Sequence, residues 1–177
     1  EIKAGTYKGR LRTGYDFPGP HQGNFCSNGL IPATRTASAK LMEVKAAYQY
    51  VKFALVSVDE RKNTVCVKLT NAYAFRDLSG FDLQYETLVD GYVKKTKTLR
   101  LAPVAAGDSL LLTFEPSFNL AKAKVQGKEV MLNLRVVGRD ASSFAPAGHV
   151  YAAAQFGLTE RAPLSPLAVK GTSHLAM

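Results

Sequence analysis

The chain has 177 residues, 46% of them hydrophobic and 21% charged, with a formal net charge of +9. That is enough for one domain with a real core and a small appendage. No apolar run reaches the ~18 residues of a membrane span, and no N-terminal apolar h-region marks a signal peptide. The sequence opens at Glu1 rather than Met, so a piece of a longer protein is expected, and its compartment stays open.

Residues 1–22 are polar and rich in Gly and Pro, with only Tyr7, Leu11, Tyr15 and Phe17 able to pack. Such a segment cannot bury enough apolar area to fold alone. From Gly23 to Lys45 the chain reads as a joint: an irregular Asn-bearing loop (Asn24, Phe25, Asn28) between Gly23 and Gly29, an Arg35-Thr36 turn, then a helix. The helix runs from Ser38 to about Tyr48, on the spacing of Leu41, Val44, Lys45 and Tyr48, with Thr36 or Ser38 as N-cap.

From Tyr50 onward the period becomes two. Val51, Phe53 and Leu55 alternate with Lys52, Ala54 and Val56; Val65, Val67 and Leu69 alternate with Cys66 and Lys68; Phe81, Leu83, Tyr85 and Thr87 alternate with Asp82, Gln84 and Glu86. Asp59 to Asn63 is a polar turn and Asp90-Gly91 a strong hairpin signal. Strands over Tyr92–Leu101, Ser109–Phe114, Val130–Val137 and Val150–Leu158 complete the set. Seven or eight short strands at this spacing predict an all-β fold, an antiparallel immunoglobulin- or fibronectin type III-like sandwich, preceded by the irregular segment with its one short helix.

Candidate chemistry is sparse. Cys26 and Cys66 lack a pairing or zinc-ligand spacing and read as two buried free thiols. His149 reads as a loop-to-strand histidine. Asp82 and Glu86, at i and i+4 of a strand, sit roughly 13 Å apart, too far for a retaining glycosidase pair. No nucleophile elbow or phosphate-cradling loop is present. Lys94, Lys95, Lys97 and Arg100 read as outward positions of one hairpin on a solvated face. Neither a nucleic-acid nor a membrane partner is expected. In the joint, backbone carbonyls and the Asn28 amide suit a hard cation or a sugar hydroxyl.

Taken together, several of these stretches resemble one family. Gly23-Asn24-Phe25-Cys26-Ser27-Asn28-Gly29-Leu30, followed by Arg35-Thr36 and Leu41, is similar to the segment that leaves the catalytic barrel in the multidomain beta-galactosidases of glycoside hydrolase family two. Gly14-Tyr15-Asp16-Phe17, the Tyr73, Phe75, Arg76 run, Leu134-Arg135-Val136-Val137, Ala147-Gly148-His149 and Gln155-Phe156 extend the resemblance over about residues 3–160. Thr34, Ala37, Ser38 and Ala39 replace the family's Asp, Pro, His and Pro, and Tyr85 stands where a strand Trp is usual.

The resemblance implies three regions: 1–47 as the end of a (β/α)-barrel, 48–160 as the sandwich that follows it, and 161–177 as a linker toward a further domain. It implies a parent hydrolysing terminal beta-D-galactosyl residues by a retaining mechanism. The fragment itself would be inactive, its catalytic glutamates lying in the absent barrel. The Phe25 carbonyl and the Asn28 side chain would bind a sodium ion beside the galactose 6-hydroxyl, with magnesium a further possible ion of the parent. The partners implied are the galactoside and flanking domains of the same chain. Beta-glucuronidase-like or mannosidase-like specificities remain alternatives. A reading of a different class is a stand-alone sandwich that binds carbohydrate or protein through an aromatic platform of Tyr85, Tyr92 and Tyr151.

Overall fold

A computed structural model describes residues 18–20, 29–32 and 34–163. The chain divides into two compact units, Glu1–Tyr50 and Val51–Met177.

In the first unit the element is α1 (Ala39–Ala47). Ser38 is its N-cap: extended in backbone, it accepts the Leu41 N–H on its hydroxyl and donates that hydroxyl to the Leu30 carbonyl. Ahead of it, the Arg35 N–H donates to the Pro32 carbonyl at 2.9 Å and Arg35 has φ 60, which closes a tight turn. The Thr34 and Thr36 hydroxyls hydrogen-bond at 2.8 Å. Ala39 and Ser38, which replace a Pro and a His of the resembled pattern, thus form a working helix start. Along α1 no residue is fully buried, and Leu41 and Val44 are only half-buried.

The second unit has seven strands: β1 (Val51–Asp59), β2 (Thr64–Asn71), β3 (Phe81–Val89), β4 (Tyr92–Arg100), β5 (Ser109–Phe114), β6 (Val130–Gly138) and β7 (Val150–Thr159). A short helix, α2 (Leu120–Val125), lies between β5 and β6. All pairings are antiparallel, in a three-stranded sheet ordered β1-β2-β5 and a four-stranded sheet ordered β4-β3-β6-β7. The two inner faces share one apolar core, in which Val65, Val67 and Leu69 of β2 meet Phe81 and Leu83 of β3 and Val130, Leu132, Leu134 and Val136 of β6. Full burial of each such side chain is worth about 1.5–3 kcal/mol, so this core carries the fold.

The turns are built from side chains that hold their own backbone. The Asp59 carboxylate accepts the Arg61 and Lys62 N–H groups at 3.0 Å each, and these bonds, the Lys62 N–H first, hold its carboxyl below the ordinary aspartate range. Asp90 (φ 50) and Gly91 (φ 82) form the β3–β4 turn with both central residues in the left-handed region, the geometry that matches strand twist. Asn63 (φ 54) closes the β1–β2 turn and reaches outward, donating to the Pro116 carbonyl at 3.1 Å and accepting the Leu120 N–H at 2.9 Å. It thereby fixes the start of α2, whose own cap is Asn119.

Three expectations are corrected. The β1 alternation does not run unbroken: Val56 is a bulge between Leu55 and Ser57, which puts Val58 opposite the buried Val65 and leaves Leu55 and Val56 39% and 54% exposed. Cys66 is half-buried, not buried, because it sits opposite Ser57 and Thr113 on the outer face of the three-stranded sheet. The α2 helix, at six residues, was not expected.

Candidate functional site

The two residues on which the sequence places a cation site, Phe25 and Asn28, lie outside the described residues, as does Cys26. Among the described residues, no group of three or more His, Cys, Asp or Glu side chains could hold a metal ion. The chemistry that can be described lies on the sandwich.

Its carboxylates on the four-stranded sheet are engaged structurally. Asp82 and Glu86 both point to the outer face of β3, and each faces an arginine from β6 or the residue just past it, Arg135 for Glu86 and Arg139 for Asp82. Arg139 contacts Asp82 through Nη2 at 3.1 Å and Nε at 3.3 Å, and also donates to the Phe81 carbonyl at 3.2 Å. Arg135 donates to Glu86 at 3.0 Å, and the Thr96 hydroxyl adds a bond at 3.3 Å. The Glu86 side chain is only 12% exposed, so this face is more enclosed than the alternation suggests. Two carboxylates that each hold their own guanidinium are clamps for the sheet rather than an acid and a base converging on one bond.

The aromatic candidates do not form a platform. Tyr85 lies on the inner side of β3 with its ring edge-on to Phe114 at 4.9 Å, and Tyr151 packs edge-on to Phe81 at 5.2 Å. His149 stands edge-on to Tyr151 at 5.0 Å, and its N–H donates to the Pro146 carbonyl at 3.2 Å. Tyr92 alone is exposed, at the β3–β4 turn.

The basic quartet is divided by the β4 register. Lys94 is a bulge residue between the Thr87–Lys95 and Leu88–Val93 pairs. Lys95 and Lys97 oppose Thr87 and Tyr85 and share their side of the sheet, whereas Arg100 opposes Asp82 on the other. The reading of one outward basic face is therefore corrected. The Lys97 ammonium lies 5.6 Å from the centre of the Tyr85 ring. With Lys62 these two lysines line an open groove of about 540 Å³ whose far wall is Glu115, Pro116 and Ser117.

Sequence reasoning missed Asn71. Its side chain is fully buried and donates to the carbonyls of Arg76, Val104 and Ala105 at 2.8, 2.9 and 3.1 Å, while its oxygen accepts the Tyr73 N–H at 3.0 Å. Its backbone bonds Asp108 and Gly107. The signal was present: Asn71 continues the inward phase of Val65, Val67 and Leu69, where a polar residue needs a reason. It ties together the loops at the end of the sandwich where β1 begins.

Among the described residues, the fold is a three-plus-four antiparallel sandwich whose polar side chains are engaged in turns and in ion pairs between strands. The family model described as beta-galactosidase, domain 4, matches residues 67–159, just over half of the chain, and the chain belongs to that family. It is similar to the beta-galactosidase of Priestia megaterium, 34% identical over 147 residues, covering 82% of this chain and 13% of the relative. It is also 34% identical over 145 residues to the beta-galactosidase of Vibrio vulnificus (strain YJ016), covering 80% and 13%. The beta-galactosidase BgaC of Bifidobacterium adolescentis is 33% identical over 147 residues, covering 82% and 13%. The chain thus spans about 13% of the length of these relatives.

Proposed function

We propose that this chain is the sandwich-bearing region of a retaining beta-galactosidase, and that within it the sandwich is a scaffold. Catalysis then belongs to two glutamates of a preceding barrel, acting by double displacement on the terminal beta-D-galactosyl bond. The observation that carries the reading is the family match over 67–159 together with about one-third identity to beta-galactosidases across four-fifths of the chain. Support also comes from the sandwich: Asp82 and Glu86 are each bound to an arginine, which leaves neither free to act as nucleophile or acid.

In this reading the loop before α1 contributes to the sugar site. The Phe25 carbonyl and the Asn28 amide oxygen are neutral, hard oxygen donors, a chemistry that fits a monovalent cation such as sodium. They are two donors of a larger set, so the chain alone would hold such an ion weakly. Sodium, when bound, supplies a fixed positive charge for a sugar hydroxyl. This chain's part in that reading is to supply those two oxygens.

The reading is tested by following hydrolysis of p-nitrophenyl beta-D-galactoside by NMR, with the isolated chain and with the longer protein. Expected are no turnover by the chain and release of the beta anomer first by the longer protein. Turnover by the chain, or release of the alpha anomer first, overturns it.

A further inference from the structure

The sandwich carries one surface that a scaffold role leaves unused: the groove of about 540 Å³ between the β1–β2 turn, the edge strand β4 and the segment after β5. We propose that this groove is a docking site for an acidic peptide segment, a short run of Asp and Glu side chains on a protein partner. The proposal does not depend on the glycosidase reading.

Charge is the first argument. Lys62, Lys95 and Lys97 face a single carboxylate, Glu115, in the groove. Four cations elsewhere on the sandwich are matched at close range, Lys124 to Glu60 at 2.8 Å, Lys128 to Asp90 at 3.0 Å, Arg135 to Glu86 at 3.0 Å and Arg139 to Asp82 at 3.1 Å, and others such as Lys68 and Lys122 carry no ion pair among the described residues; what marks the groove is that three lysines line one cleft. In the groove, Lys62 reaches only Asp59, at 4.0 Å with its own side chain 80% exposed, and Lys97 has a tyrosine ring rather than an anion. Among the described residues Lys95 has no ion pair. Like charges held together without anions repel, and a ligand that supplies carboxylates relieves that repulsion.

The second argument is that the groove is preformed. The buried Thr87 hydroxyl accepts the Ser117 N–H at 2.9 Å, and Asn63 holds the Pro116 carbonyl at 3.1 Å. The wall is fixed by the core behind it, so little ordering remains to oppose binding. At about 540 Å³ the open groove is larger than a single ion fills, which leaves room for a segment.

The third is the edge. β4 pairs on one side only, so its other side is open. Lysines on such an edge turn away apolar strands; they admit one whose side chains are acidic. A peptide fits better than nucleic acid, because the open edge of β4 offers unpaired backbone groups that an extended peptide can pair with while its carboxylates meet the lysines.

The test uses the whole chain and fluorescein-labelled octaglutamate, followed by anisotropy at ~50 mM and ~200 mM NaCl. The double variant Lys95→Glu/Lys97→Glu is compared with Lys68→Glu/Lys122→Glu, which makes the same net charge change at exposed sites outside the groove. Expected is binding that weakens with salt, falls about tenfold or more in the groove variant and changes less than about twofold in the control. No binding, or equal loss in both variants, overturns the proposal. So does tighter, groove-dependent binding of a labelled oligothymidylate, which would reassign the surface to nucleic acid.

Discussion

Asn71 offers the sharpest test of how the sandwich is held together. Its amide has four side-chain partners at a position with no solvent access: two N–H groups shared among three carbonyls, and an oxygen that accepts one N–H. Each bond nets about 1 kcal/mol, and partners stranded in the interior cost at least as much. Asn71→Ala is therefore expected to cost about 3–4 kcal/mol, a fall in melting temperature of roughly 12–25 °C for a domain of this size. Asn71→Asp separates polarity from geometry. The carboxylate keeps the acceptor for the Tyr73 N–H but turns a negative oxygen toward three carbonyls. It should be worse than Ala at pH 7, and the gap should narrow on acidification as the buried carboxyl takes up a proton and regains a donor. Because the chain has eight Tyr and no Trp, tyrosine fluorescence in a guanidinium titration reports the transition. A loss below about 1 kcal/mol for Ala, or an Asp variant no worse than Ala, would refute the reasoning.

Other predictions follow from the same geometry. Gly127 has φ 62 and a Cβ there would lie 2.6 Å from the Ala162 Cβ, whereas at Gly91 (φ 82) a Cβ would meet open space. Gly91→Ala should cost about 1–2 kcal/mol from backbone strain alone and Gly127→Ala distinctly more; equal melting temperatures would show that Ala162 yields freely. Arg135→Ala leaves the 12%-exposed Glu86 without its guanidinium and should cost about 1–2 kcal/mol by urea titration, against less than about 0.5 for Lys124→Ala at the exposed Glu60 pair. Asp90 is held below its ordinary 3.8, first by the Lys128 ammonium and then by the Glu129 N–H. A depressed folded value means stability present above 3.8 and lost as pH falls through the depressed value. The stability gap between wild type and Asp90→Asn should thus be level at neutral pH and shrink below about pH 4; a gap that grows on acidification would contradict the assignment.

Period-two alternation made the sheet legible because most strands bury one face and wet the other. It placed Ser109–Phe114 and the Asp90-Gly91 turn where the structure has them. It failed where phase is set by something other than alternation. The Val56 bulge lets Val51 and Val58 both face inward, which no period-two reading permits. On β4 the Lys94 bulge shifts the phase of Tyr92 and Val93 against the rest of the strand, whereas Lys95 and Lys97 lie opposite in face to Arg100 by plain alternation. The α2 helix is too short to show a period: only Leu120 and Ala123 are buried, and its start is fixed by Asn63, 57 residues away from Leu120. Asn71 escaped because its four partners come from loops that pattern reading does not align. The family resemblance was legible because its motifs recur in order; Phe25 and Asn28, which carry its cation site, fall outside the described residues.

The central claim, that this chain contributes to a galactoside-hydrolysing centre through Phe25 and Asn28, is tested most directly by titrating sodium against o-nitrophenyl beta-D-galactoside hydrolysis in the longer protein and its Asn28→Ala variant. The account predicts hydrolysis whose KM falls with sodium in the parent, with that response lost or shifted to much higher sodium in the variant. Hydrolysis with an identical sodium response in both proteins, or no hydrolysis of the galactoside at all, would contradict it.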